Sequence, residues 1–79
     1  MDLREQLFQE FRDIIDLESG KSIVDLGIVQ EIEINEDAQR VYVYIRLSHF
    51  NPRTDFYEQR IRDIVEGHGY EPEIEVLMS

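Results

Sequence analysis

Apolar residues fall every third or fourth position from Asp2 to Asp16, at Leu3, Leu7, Phe11, Ile14 and Ile15 with Phe8 beside them. This spacing predicts an amphipathic helix whose stripe packs a core, with Arg4, Glu5, Gln9, Arg12 and Asp13 facing water. The helical period breaks between Leu17 and Gly27, where Gly20 and Gly27 supply the positive-φ freedom of a chain reversal. Alternation then takes over. Ile28, Ile32 and Ile34 share one face of a strand over 28–34, and Val41, Val43, Ile45 and Leu47 share one face of a second over 41–47. The connector "NEDAQ" is short enough for an antiparallel hairpin. Pro52 suits the first position of a second helix behind an Asn51 cap. Tyr57, Ile61, Ile64 and Val65 fall on one face of that helix, and Gly67 or Gly69 ends it. In "EPEIEVLMS", Ile74, Val76 and Met78 alternate with Glu73, Glu75 and Leu77, predicting a third strand that Pro72 opens.

The predicted fold class is α+β: two helices packed on one face of a three-stranded mixed sheet, in the order α-β-β-α-β. The first two strands form the hairpin. The last returns through a helical crossover, parallel to the strand before that helix and on the right-handed path. The opposite sheet face then shows Tyr42, Tyr44, Arg46, Val29 and Leu77 among Glu31, Glu33, Glu73 and Glu75. Two tyrosines and an arginine are residues that interface centres favour, so Tyr42, Tyr44 and Arg46 are the expected partner or self-association surface, with a solvated face as the plain alternative.

Seventy-nine residues make one domain, 1–79, because a chain this short buries about 60% of its unfolded surface and cannot divide that core. A hydrophobic fraction of 42%, with four Tyr and four Phe, suits a folded globule rather than a disordered chain. Eighteen acids against eight bases give a net charge of -10, which repels phosphate backbones and anionic membranes, so neither nucleic acid nor a membrane is an expected partner. No run reaches the roughly 20 apolar residues of a spanning helix. "MDLREQLFQE" lacks the apolar core of a signal peptide and carries acids foreign to a transit peptide, so the expected location is the cytoplasm. Cysteine is absent, which removes disulfides, thiolate nucleophiles and thiolate metal ligands together.

Gly20-Lys21-Ser22 invites comparison with a phosphate-binding loop, but Ile15 stands where the first glycine is needed and a helix precedes it where a strand is required. A glycine turn is the better reading. Asp16, Glu18 and Asp25 are candidate paired carboxylates or hard-cation ligands, although in so acidic a chain they also serve as turn and cap residues. His49 and His68 lack a second histidine or a cysteine at ligand spacing. His68, between two glycines at a helix end, reads as a cap, whereas His49 and Ser48 lie in a strand-to-helix loop where functional residues concentrate. Adjacent strand residues point to opposite faces, so Ser48 and His49 do not form a catalytic dyad.

"IIDLESGKSIVDLGIVQEIEI" resembles the small metal-sulfur cluster biosynthesis, or iron-sulfur assembly accessory, family. That family's hallmark is an aliphatic pair, Asp-Pro-Glu, a glycine, an Ile-Val-Asp-Leu-Gly run and a strand. It includes the accessory T component of the Suf system, the D component of the phenylacetate operon and the N-terminal domain of Mrp-type carrier ATPases. The resemblance places the family's acidic pair on Asp16 and Glu18 and its Asp-Leu-Gly signature on Asp25, Leu26 and Gly27. Leu17 replaces the intervening proline. The family's Thr-Thr-Pro-Gly-Cys-Pro loop falls on "SHFNPR", 48–53, where Ser48 keeps a hydroxyl, His49 replaces a threonine and no cysteine stands at Asn51 or Pro52. A thiolate is what would bind soft iron there, so thiolate-dependent cluster chemistry does not carry over.

The expected function is therefore a non-enzymatic accessory or adaptor in iron-sulfur cluster assembly or metalloprotein maturation, with no catalytic residue, no cofactor and no metal of its own. Its partner is a protein with a basic surface, such as an iron-sulfur scaffold, carrier or apo-protein, or a second copy in a homodimer. The functional corner is Asp16, Glu18, Asp25, Ser48 and His49. The alternatives are a metal-binding or enzymatic domain using Asp16, Glu18 and His49, and a structural subunit of a larger complex.

Overall fold

The computed structural model describes residues 2–47 and 53–78. Helix α1 spans Leu3–Phe11, opened by Asp2, whose carboxylate accepts from the Glu5 backbone N–H at 2.8 Å. Leu7 and Phe11 are its fully buried residues. The apolar period predicts a helix reaching Asp16, but the chain leaves it at Phe11 because Ile14 and Ile15 take a two-residue alternation instead. Ile14 turns into the core at 1% exposure and Ile15 turns out at 39%. Their backbones pair with a later segment: Ile15 bridges Ser22, and the Ile23 N–H donates to Ile14 O at 3.0 Å. Two consecutive β-branched residues favour that extended pairing over another helical turn.

Strands β1 (Val29–Asn35) and β2 (Arg40–Leu47) form the expected antiparallel hairpin. Its turn is closed by Asn35, whose side-chain oxygen accepts from the Ala38 N–H at 3.1 Å, and by Gln39 at φ 53. Helix α2 (Thr54–Gly67) carries Tyr57, Ile61 and Val65 into the core, with Ile64 partly buried against it. The Asn51 cap and the Pro52 helix start proposed from the sequence lie outside the described residues. After Gly67, His68 caps the helix and Gly69 takes φ +84, so the Gly69 N–H reaches Glu66 O and the Tyr70 N–H reaches Val65 O. Strand β3 (Glu71–Met78) then runs parallel to β2, giving the sheet order β1-β2-β3. This is the α+β, α-β-β-α-β architecture that the periodicity predicts.

One hydrophobic cluster joins Leu7, Phe11, Ile14 and Ile23 to Ile32, Val41, Val43 and Ile45 of the sheet and to Tyr57, Ile61 and Val65 of α2. Val29 also belongs to it, which corrects its expected place on the far face. It pairs with Ile45, whereas Glu31 pairs with Tyr44, so β1 holds one extra residue, Gln30, against β2. That bulge shifts the facing at Val29, which is buried at 7% exposure, while Glu31 and Glu33 remain on the open side.

Candidate functional site

The segment from Arg12 to Ile28 is built from two consecutive turns. In the first, the Gly20 N–H donates to Asp16 O and the Asp16 N–H to Lys21 O, both at 2.8 Å, while Gly20 sits at φ +73. The Asp16 carboxylate accepts from the Ser19 N–H at 3.2 Å, and the Ser19 hydroxyl accepts from the Lys21 N–H at 3.2 Å. In the second, Ser22 is buried at 2% exposure and its hydroxyl accepts from the Asp25 N–H at 3.0 Å, opening a single helical turn. Gly27 closes that turn at φ +75: its N–H reaches Val24 O at 3.0 Å and the Ile28 N–H reaches Ile23 O at 2.9 Å. This six-to-one and five-to-two pairing requires a left-handed residue at the glycine. The Asp-Leu-Gly signature is thus a helix-end device, in which the Asp25 N–H is capped and Gly27 reverses the chain.

Gly20, Gly27 and Gly67 each have open space where a Cβ would stand, so backbone conformation alone separates them. Gly27→Ala and Gly20→Ala are expected to cost about 1–2 kcal/mol each, since a Cβ in the left-handed region meets its own backbone. Gly67→Ala is expected to stabilise by about 0.5 kcal/mol, because this glycine is helical. Urea unfolding of the three variants measures the contrast.

Asp16 is the centre of the corner. Its side chain is 16% exposed, and its Oδ1 accepts from the Tyr57 hydroxyl at 3.0 Å and from Arg53 Nη1 at 3.2 Å, both at the start of α2. Hydrogen bonding from Ser19, then from Tyr57, with the Arg53 charge beside it, holds the carboxyl below its ordinary 3.8. Each oxygen is therefore engaged by protein donors. Of the other predicted corner residues, Glu18 is exposed. Asp25 lies 3.8 Å from Arg12 in an exposed ion pair, and no hydrogen bond joins it to Asp16. Ser48 and His49 lie outside the described residues. Among the described residues, no three His, Cys, Asp or Glu side chains are grouped to hold a metal ion.

Periodicity assigns Tyr57 to the core and gives no sign of its hydroxyl contact, and Arg53 and Ser19 carry no local signature either. Ser22 was detectable: Ser22-Ile23-Val24-Asp25 has the Ser-x-x-Asp form of a helical cap. Two exposed apolar residues flank Asp16 and Tyr57 in the chain. Leu17, at the position of the family's proline, is 78% exposed, and Phe56, whose ring lies edge-on to Tyr57 at 6.1 Å, is 53% exposed. His68 packs elsewhere, its Nε2 2.9 Å from a Glu10 carboxylate oxygen, tying the end of α2 to α1.

On the open sheet face, Tyr42 and Tyr44 are half-buried and Arg46 is exposed. Tyr44 lies between Glu31 and Glu75, and Tyr42 between Glu33 and Glu73. Partial burial, then the charges of Glu33 and Glu75, raise the Tyr44 phenol above its ordinary 10.0, so it stays protonated. Arg40 reaches Glu71 and Glu73 at 3.3 Å each. Arg4 bonds Glu31 and Ile32 O, and that bond, with the Ile32 N–H, holds the Glu31 carboxyl below its ordinary 4.5.

The family model described as iron-sulfur cluster assembly protein matches residues 4–76. The chain belongs to that family. This membership points to a part in iron-sulfur cluster assembly. Two solved structures share the assembly-protein fold. A domain of unknown function, DUF59, from Bacillus anthracis is 22% identical with a TM-score of 0.74, over 96% of this chain and 73% of that one. Rv1466 from Mycobacterium tuberculosis, described as associated with Fe-S complex assembly and repair, is 23% identical with a TM-score of 0.53, over 95% of this chain and 63% of its own. No curated protein matches the chain. Among the described residues of this family member, no helix is long and apolar enough to cross a membrane.

Proposed function

We propose that this chain serves iron-sulfur cluster assembly as a non-enzymatic accessory protein that acts by contacting a partner and does not ligate the cluster itself. The observation that carries this reading is the state of Asp16. The carboxylate at the family's acidic position is engaged by Ser19, Arg53 and Tyr57, which makes it a clasp between the corner and α2. The chain also contains no cysteine, so soft iron meets no thiolate here. Glu18 and Asp25 are left as exposed charges on an ordered rim. Leu17, next to Glu18 in the chain, and Phe56, next to Tyr57, are exposed apolar side chains of the kind that protein contacts cover.

A net charge of -10 favours a basic partner surface and speeds encounter with it. A scaffold, a carrier or an apo-protein of iron-sulfur assembly would each fit, and Rv1466, a fold neighbour, is described as associated with such assembly and repair. The sheet face bearing Tyr42, Tyr44 and Arg46 offers a second contact area. Anaerobic incubation with ferrous iron and sulfide, followed by desalting, tests the reading. The protein fraction is expected to carry no visible cluster absorbance. A stoichiometric, protein-bound cluster would overturn the accessory role.

A further inference from the structure

The two edges of the sheet are treated differently. At β1, the bulge at Gln30 breaks the ladder, and Arg4 of α1 reaches over the edge to bond Ile32 O at 3.2 Å. Both devices blunt an edge strand. Among the described residues β3 shows neither: its register with β2 runs unbroken from Arg40↔Glu71 to Leu47↔Met78, and no described strand lies on its other side. Such an edge presents a row of backbone donors and acceptors.

The two faces along that edge differ in chemistry. On the helix side, cover fails toward the edge: Ile45 is fully buried, yet its β3 partner Val76 is 37% exposed. On the open side Glu71, Glu73 and Glu75 line up. Arg40 answers the first two, and Glu75 has no ion-pair partner among the described residues. A second copy paired antiparallel at this edge in register with the pleat sets glutamate against glutamate, which is unfavourable directly across a sheet.

We propose that the free edge of β3 accepts an extended partner segment of alternating basic and apolar residues as a fourth strand. Its basic side chains lie beside Glu73 and Glu75, and its apolar ones cover Ile74 and Val76. Backbone pairing supplies affinity, and the alternation supplies selectivity. The inference rests on the reading of this chain as a contact protein and names the surface and the partner's form.

Titration with the capped hexapeptide KVKVKV, monitored by amide NMR and hydrogen exchange, tests it. The amides of β3 that point away from β2 are expected to slow in exchange on binding. Glu75→Lys, at an exposed position where folding is unaffected, is expected to weaken binding about fivefold, as attraction across the strand pair becomes repulsion. The isomer KKKVVV, with the same charge and composition, is expected to bind more weakly than KVKVKV. Equal binding by the isomer, unchanged β3 amides, an indifferent Glu75→Lys variant or no binding at all would each overturn the proposal, as would a dimer of this chain paired through β3. Those outcomes leave the accessory role standing, whereas a reconstituted cluster removes that role and leaves the peptide result untouched.

Discussion

Tyr57→Ala is expected to lower the urea unfolding midpoint sharply, at a cost of about 3–5 kcal/mol. Tyr57 is 1% exposed and sits among Phe11, Ile61 and the sheet residues, so its removal combines an aromatic-sized cavity with the loss of the Asp16 bond. Aromatic-to-alanine changes in cores cost about 3–5 kcal/mol. A 79-residue domain holds about 4–12 kcal/mol in all at 0.05–0.15 kcal/mol per residue. Tyr57→Phe keeps the ring and deletes only the hydroxyl, for about 1–2 kcal/mol. Urea unfolding should therefore rank wild type, Tyr57→Phe and Tyr57→Ala in widely spaced order. If the two variants unfold at one midpoint, the hydroxyl carries the whole effect and the packing account fails.

Asp16→Asn probes the other end of the same clasp. Because the folded-state carboxyl titrates below its ordinary 3.8, its contribution is complete above that value and disappears as pH falls through the lower folded value. The wild-type advantage over Asp16→Asn is thus expected to be constant at neutral pH and to shrink below about pH 4. In a double-mutant cycle, Asp16→Asn and Tyr57→Phe should be less than additive, since Tyr57→Phe deletes the hydrogen bond that Asp16→Asn weakens by removing the acceptor's charge.

Most of the scaffold was legible because its elements are periodic. Tyr57, Ile61 and Val65 repeat at helical spacing, and Val41, Val43, Ile45 and Leu47 repeat at strand spacing, so helix, hairpin and crossover follow from pattern alone. Pattern fails where two periods compete. Ile14 and Ile15 satisfy both the end of a helix and the start of an extended pair, and only Ser22 and Ile23, brought back by the turn at Gly20, decide between them. Val29 fails for a similar reason: nothing in "IVQEIEI" announces that Gln30 is an unpaired extra residue. The contacts of Asp16 were not legible. Asp16 and Tyr57 are 41 residues apart, and no local rule links a turn carboxylate to a phenol on a distant helix.

Two forces could hold the acidic segment against the body of the fold, and their magnitudes differ enough to choose between them. Arg12 and Asp25 form an ion pair at 3.8 Å with both side chains more than half exposed, a geometry worth about 0–1 kcal/mol in water. Phe11, Ile14 and Ile23 bury completely or nearly so, at 0%, 1% and 0% exposure, and fasten both ends of the first turn to the sheet. Phe11→Ala is accordingly expected to cost about 3–5 kcal/mol, a large share of the stability of a domain this size, while Arg12→Ala costs under about 0.5 kcal/mol. Amide exchange at Ile23 and Asp25 reads the corner directly, since their N–H groups close the two turns. In Arg12→Ala these amides should exchange as in wild type. In Phe11→Ala they should exchange with the global unfolding rate, because the corner has no core of its own on which to persist. If Arg12→Ala loosens them instead, surface charge orders the acidic rim, and its partner recognition would then weaken with salt through the fold itself as well as through encounter.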